Sequence, residues 1–180
     1  MAWVHVRPVA GRRKGSSVSQ ASPPPPSRSR HRALPLTDPL AALRLVLTVA
    51  STPPRDETVC LLLDDRCRPV ACVVVVGRAD VVAVADTMLL LAEPPPPAGD
   101  RSPGGDVAIT ALTGTVRGLV LASVRPGRSH RPTADDELDW RVLQARFYGS
   151  AVDLLDWFLV DDDRAASLAE LTGSPSAWPR

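Results

Sequence analysis

Residues 123–136 read Ser-Val-Arg-Pro-Gly-Arg-Ser-His-Arg-Pro-Thr-Ala-Asp-Asp, the densest run of reactive side chains in the chain. Arg125, Arg128, His130 and Arg131 fall in one loop before a helix start, where guanidinium groups and free backbone N–H groups could hold an anion or a phosphate. Thr133 followed three residues later by Asp136 spells a capping box with the shorter acid in place of glutamate. Glu57 stands at the head of an apolar run and reads as a solvated strand end. Cysteine-based metal chemistry is not expected: the three cysteines (Cys60, Cys67, Cys72) form no C-x-x-C pair, and the three histidines (His5, His31, His130) lie far from them. Cys60 and Cys72 sit among valines and leucines and read as small buried apolar residues. Asp161-Asp162-Asp163 lacks the ligand spacing and central glycine of a calcium loop and reads as a solvated chain exit.

The elements that must position these residues follow from periodicity. Thr37-Asp38-Pro39 opens a helix, with a capping side chain and then proline in the first turn. Leu40, Leu43, Val46, Leu47 and Ala50 are expected on its inner face, and Pro53-Pro54 end it. Glu57 to Leu63 and Val70 to Val76, separated by Asp64-Asp65-Arg66, read as a β-hairpin buried on both faces. Residues 80–93 show helical spacing of Val81, Val84, Ala85, Met88, Leu91 and Ala92. Residues 94–105, with five prolines and three glycines, read as a mobile loop. Val116 to Val124 is a third buried strand. Pro132-Thr133 opens another helix, with Leu138, Val142 and Ala145 on one stripe and Trp140, Leu143 and Phe147 beside it. Ala151 to Val160 ends in a fourth strand. The order predicts one α/β domain over residues 37–161, a mixed β-sheet flanked by helices in a three-layer-like arrangement, followed by a short tail at 162–180.

The 180 residues carry a formal charge of +1 that conceals two unlike parts. Residues 1–36 hold seven basic side chains and no acid, so the other 14 basic residues face 20 acidic ones. The first segment, broken by Pro23–Pro26, reads as a disordered basic arm able to touch nucleic acid weakly and nonspecifically. No apolar stretch is long enough for a membrane span. The odd cysteine count, without a secretory leader, fits reduced thiols and a cytoplasmic protein. Arginine so far exceeds lysine, with Lys14 the single lysine, that a GC-rich bacterial genome is the expected source.

The strand LVLASVRPG, the helix opening RPTADD and the strand LLDWFLVDD together resemble the RadC-like branch of the JAB/MPN (JAMM) metalloprotease family. That family carries a strand ending H-x-H-P-S-G, then P-S-x-x-D opening a helix, then a strand ending L-L-D-H-x-I-x-G. Glu57 before VCLLLDDRCRPVACVVVVG is similar to the family's glutamate, strand, turn and strand. The resemblance covers roughly residues 38–161 and implies a cytidine-deaminase-like topology. It also implies a zinc ion held by two histidines and an aspartate, a glutamate acting on the zinc-bound water, and a serine near the oxyanion.

Position by position, the resemblance sets Glu57 at the glutamate, Thr133 at the serine and Asp136 at the aspartate. Ser123 and Arg125 stand at the two histidine positions, and Trp157 replaces a further histidine. Serine is a poor neutral ligand and arginine carries a fixed positive charge, so no zinc cofactor is expected. Without it, Glu57 has no acidified water to act on. The resemblance thus implies a catalytically inactive relative, like bacterial members lacking the zinc-binding histidines, that serves as an interaction or scaffold module for a protein partner. Two other expectations stand beside it. One is a divergent zinc metallohydrolase with ligands recruited from Asp135, Asp136, Glu137 and His130. The other is anion or nucleic-acid binding through the 125–131 loop and the basic arm.

Overall fold

The computed structural model describes the backbone of residues 3–7 and, with side chains, residues 34–92, 116–175 and 177–178. It is an α/β fold built on one six-stranded mixed sheet in the order β1-β3-β2-β4-β5-β6. The strands are β1 (Trp3–Arg7), β2 (Glu57–Leu63), β3 (Pro69–Val76), β4 (Gly118–Val124), β5 (Asp153–Val160) and β6 (Ala165–Ser167). The helices are α1 (Pro39–Val49), α2 (Val81–Ala92), α3 (Ala134–Phe147) and the single turn α4 (Leu168–Leu171). All pairings are antiparallel except β4 with β5, where α3 supplies the crossover that a parallel pair requires.

The valine- and leucine-rich central strands are apolar without alternation because both of their faces are covered. Every residue of β2 and of β4 is buried. Cys60, Leu62, Leu119, Leu121 and Trp157 pack on one face against Val81 and Met88 of α2 and Trp140 and Leu143 of α3. Val59, Leu61, Val120, Ala122 and Phe158 pack on the other face against Ala42 and Val46 of α1. Among the described residues, no helix is long and apolar enough to cross a membrane.

The strands and the three long helices lie where periodicity places them, but four expectations are corrected. The inner stripe of α1 is Ala42 and Val46, whereas Leu40 and Leu47 are exposed, because a helix lying close on a sheet buries its small residues. In α3 the buried stripe is Asp136, Trp140, Leu143 and Phe147, and Leu138 faces solvent. Trp3–Arg7, assigned to the disordered arm, is a strand: its alternating Trp-Val-His-Val-Arg pattern pairs with the otherwise open edge of β3. Residues 162–180 are not a mere tail, since β6 closes the opposite edge and Leu168 and Trp178 are buried in the two core layers. Residues 8–33 and the 94–105 loop lie outside the described residues.

Candidate functional site

At the carboxyl end of β4 the chain leaves the sheet through Arg125, and α3 begins nearby with Thr133 as its cap. Thr133 Oγ1 accepts from the Asp136 N–H at 3.2 Å, and the Thr133 N–H donates to Asp136 Oδ2 at 2.8 Å, which completes the capping box. The capping box thus holds Asp136 through local bonds alone.

Arg125 meets it there. Nη1 donates to Asp136 Oδ2 at 3.0 Å and Nη2 to Oδ1 at 2.6 Å, a two-point pairing of planar groups. The Asp136 side chain is only 6% exposed. Burial alone would push its carboxyl up, but the bonds from Arg125 and Thr133 outweigh that and hold its pKa below the ordinary carboxylate value. The guanidinium also lies over the indole of Trp157, 6.0 Å from the ring centroid. Trp157 Nε1 in turn donates to Ser123 Oγ at 3.0 Å. Ser123, Arg125, Asp136 and Trp157 thus form one connected cluster on the face of the sheet that carries α2 and α3.

Glu57 does not join them. It shares the opposite face with Val59 and Leu61, under α1. Its carboxylate accepts from the Ser51 N–H and the Ser51 hydroxyl, both at 2.7 Å, just beyond the end of α1. The side chain is fully buried in this role, with Arg55 3.5 Å away. A glutamate so engaged ties the α1 exit to the sheet, and its carboxylate is turned away from Asp136. The neighbour Thr58, on the other face and opposite Ser123 in the β2–β4 register, is the residue that looks into the site.

The expected anion loop is also redistributed. His130 Nδ1 lies 2.8 Å from Asp161 Oδ2, so it is part-buried and paired rather than solvated. Asp161 Oδ1 accepts from the N–H groups of Asp163 and Arg164, and with His130 these lower its carboxyl pKa to about 2. Asp162 Oδ2 accepts from the Gly127 N–H at 3.0 Å. Asp161 and Asp162 therefore anchor the 125–131 loop, while Asp162 and Asp163 are solvent-exposed as expected. Of the four basic groups, Arg125 and His130 are matched by acids, and Arg128 and Arg131 are exposed. The recruited-ligand set is not assembled either. His130 belongs to Asp161, Glu137 lies 4.0 Å from Arg141, and Asp136 belongs to Arg125. Among the described residues, no three histidine, cysteine, aspartate or glutamate side chains converge as a metal site.

A cleft of about 380 Å³ opens between the start of α2, the start of α3 and the ends of β2 and β4. Thr58 and Ser123 form its floor, and Asp80, Asp135, Asp139 and Arg128 stand around it. Asp80 Oδ1 accepts from the N–H groups of Val82 and Ala83 and so caps α2. Sequence reasoning missed Thr58, Asp80 and Asp139. The Asp-Val-Val start of α2 was a readable cap signal, whereas nothing local marks Thr58 or Asp139.

The fit of a zinc ion can be judged from the donors. The position between Ser123 and Asp136 holds a guanidinium, and both Asp136 oxygens are engaged by it. A dication placed there would meet a fixed positive charge and one carboxylate, which is not a zinc ligand set. No protein-family model matches the chain, and no curated protein is significantly similar to it.

Proposed function

We propose that this is a metal-free binding module built on a RadC-like JAB-type domain, with no hydrolase activity. The observation that carries it is the Arg125–Asp136 pair. The guanidinium supplies, at the aspartate of the implied metal site, the positive charge that a metal would otherwise bring. The order of elements supports the resemblance: a strand ending before Arg125, a helix opened by Thr133 and a strand ending at Val160. The direction taken by Glu57 supports loss of hydrolysis, because a carboxylate held by Ser51 is not available to a water near Asp136. What remains is a polar cleft on a rigid sheet, the feature through which such a domain would engage a partner.

The test is to restore the donor set. In Ser123→His/Arg125→His, two imidazoles join Asp136, and the variant is expected to gain one tightly bound zinc in a titration followed by a coloured chelator. The wild type is expected to take none. Equal zinc uptake by both chains would overturn the proposal.

A further inference from the structure

We infer that the cleft between α2 and α3 receives a positively charged side chain, lysine or arginine, presented by a partner protein. This rests on the binding-module reading and gives it a ligand chemistry.

The floor comes first. Thr58 and Ser123 are directly opposed on the antiparallel strands β2 and β4, with residue exposures of 3% and 5%. Ser123 Oγ accepts from the Trp157 indole. The Thr58 hydroxyl has no hydrogen-bond partner among the described residues. The residue is buried but its hydroxyl borders the cleft, so a group that fills the cleft must supply the hydrogen bond that solvent otherwise gives.

The walls decide the charge of the occupant. Three carboxylates at the cleft are matched within the protein: Asp56 by Arg78 at 3.3 Å, Asp136 by Arg125, and Glu57 by Arg55 at 3.5 Å. Asp135 and Asp139, one turn apart on α3, have no cationic partner among the described residues, and Asp80 keeps Oδ2 outside its capping bonds. Against these three carboxylates stands Arg128. The carboxylates crowd each other: burial, then the charges of Asp80, Asp136 and Asp135, raise the Asp139 carboxyl pKa, and the nearby charge of Arg125 only partly offsets them. A cation entering the cleft relieves that repulsion.

Two helix N-termini border the cleft and would ordinarily favour an anion. Here part of that potential is already taken up, by Asp80 on the Val82 and Ala83 N–H groups and by Thr133 on that of Asp136, and carboxylates stand at both helix starts. The volume, near the lower limit of ligand pockets, suits one extended side chain rather than a large cofactor. An ammonium or guanidinium head brings only donors, which matches a floor hydroxyl and three carboxylates able to accept.

The test uses the full-length ¹⁵N-labelled chain, with a chelator present, titrated with blocked Ala-Lys-Ala and Ala-Arg-Ala peptides. Blocked Ala-norleucine-Ala and Ala-Glu-Ala serve as controls. The basic peptides are expected to shift the backbone amides of Thr58, Ser123 and Asp139 saturably, and the controls are not. Thr58→Val and Asp139→Asn are each expected to raise the peptide Kd about tenfold, the loss of one charged hydrogen bond. Asp135→Asn, at an exposed position, provides a variant whose folding is not in question. No response to the basic peptides, or an equal response to norleucine or glutamate, overturns the inference. Because chelator is present throughout, that failure leaves the metal-free reading standing.

Discussion

Arg125 and Asp136, eleven residues apart, face each other across two hydrogen bonds of 3.0 and 2.6 Å at the mouth of the cleft. The pair joins the end of β4 to the first turn of α3, and Thr133 and Trp157 hold its two members in place. Removing one member strands the other. Arg125→Ala is expected to destabilise the fold by about 2 kcal/mol, since it leaves Asp136 buried without its counter-charge. Asp136→Asn is expected to cost less, and the double variant less than the sum. Urea unfolding of the four chains measures the coupling, and strict additivity would show that the two groups do not interact.

Acid stability follows from the directions of the carboxyl shifts. Asp136 and Asp161 keep their charge in the folded chain to lower pH than in the unfolded chain. Each therefore stabilises the fold above the ordinary carboxylate value of 3.8, and that contribution is lost as pH falls toward the folded value, about 2 for Asp161. Asp156 works the other way: burial raises its pKa despite bonds from Ser167 and Trp157, so its contribution is greatest when protonated and is lost as pH rises through that raised value. Thermal melts from pH 5 to 2 are expected to show a falling Tm below about pH 4, with a shallower fall in Arg125→Ala, where the Asp136 shift is gone.

Glu57 separates a structural from a catalytic glutamate. Ser51→Ala removes one of the two short bonds to its carboxylate and is expected to cost about 1 kcal/mol while leaving cleft amides unshifted in an NMR spectrum. Glu57 itself borders the cleft, and displacement of the Asp139 signal of the size seen at Ser51 would show that its carboxylate acts there.

Trp178 tests the end of the chain. It is 7% exposed and packs with Phe158, Val160 and α1 residues on the far face of the sheet. Trp178→Ala is expected to cost about 3 kcal/mol, read as a lower midpoint in denaturant. A change within a few tenths of a kcal/mol would return residues 172–180 to the status of a loose tail.

Much of the scaffold was legible because its signals are local. The Val73–Val76 run, the proline after Asp38 and the Thr133–Asp136 spacing each specify their element within a few residues. Leu40 and Leu47 misled because hydropathy ranks leucine above alanine, while packing on the sheet selected Ala42. The pairing of Arg125 with Asp136 was legible in outline, since strand end and helix start lie close in sequence. The cleft was not. Thr58 is an ordinary strand threonine until the β2–β4 register sets it opposite Ser123, and Asp139 is an ordinary helix acid until α2 brings Asp80 beside it. Glu57 was placed by resemblance, and only the period-two alternation of β2 against its two core layers shows which face it takes. Trp178, a lone large aromatic in a Ser- and Pro-rich segment, was a signal of burial that the assignment of a tail passed over.

The most direct measurement is the zinc content of the purified full-length chain after incubation with excess zinc and exhaustive dialysis. No zinc above the dialysis blank is expected for the wild type, with Arg125 and Asp136 still paired. One zinc per chain, lost in Asp136→Asn, would contradict it.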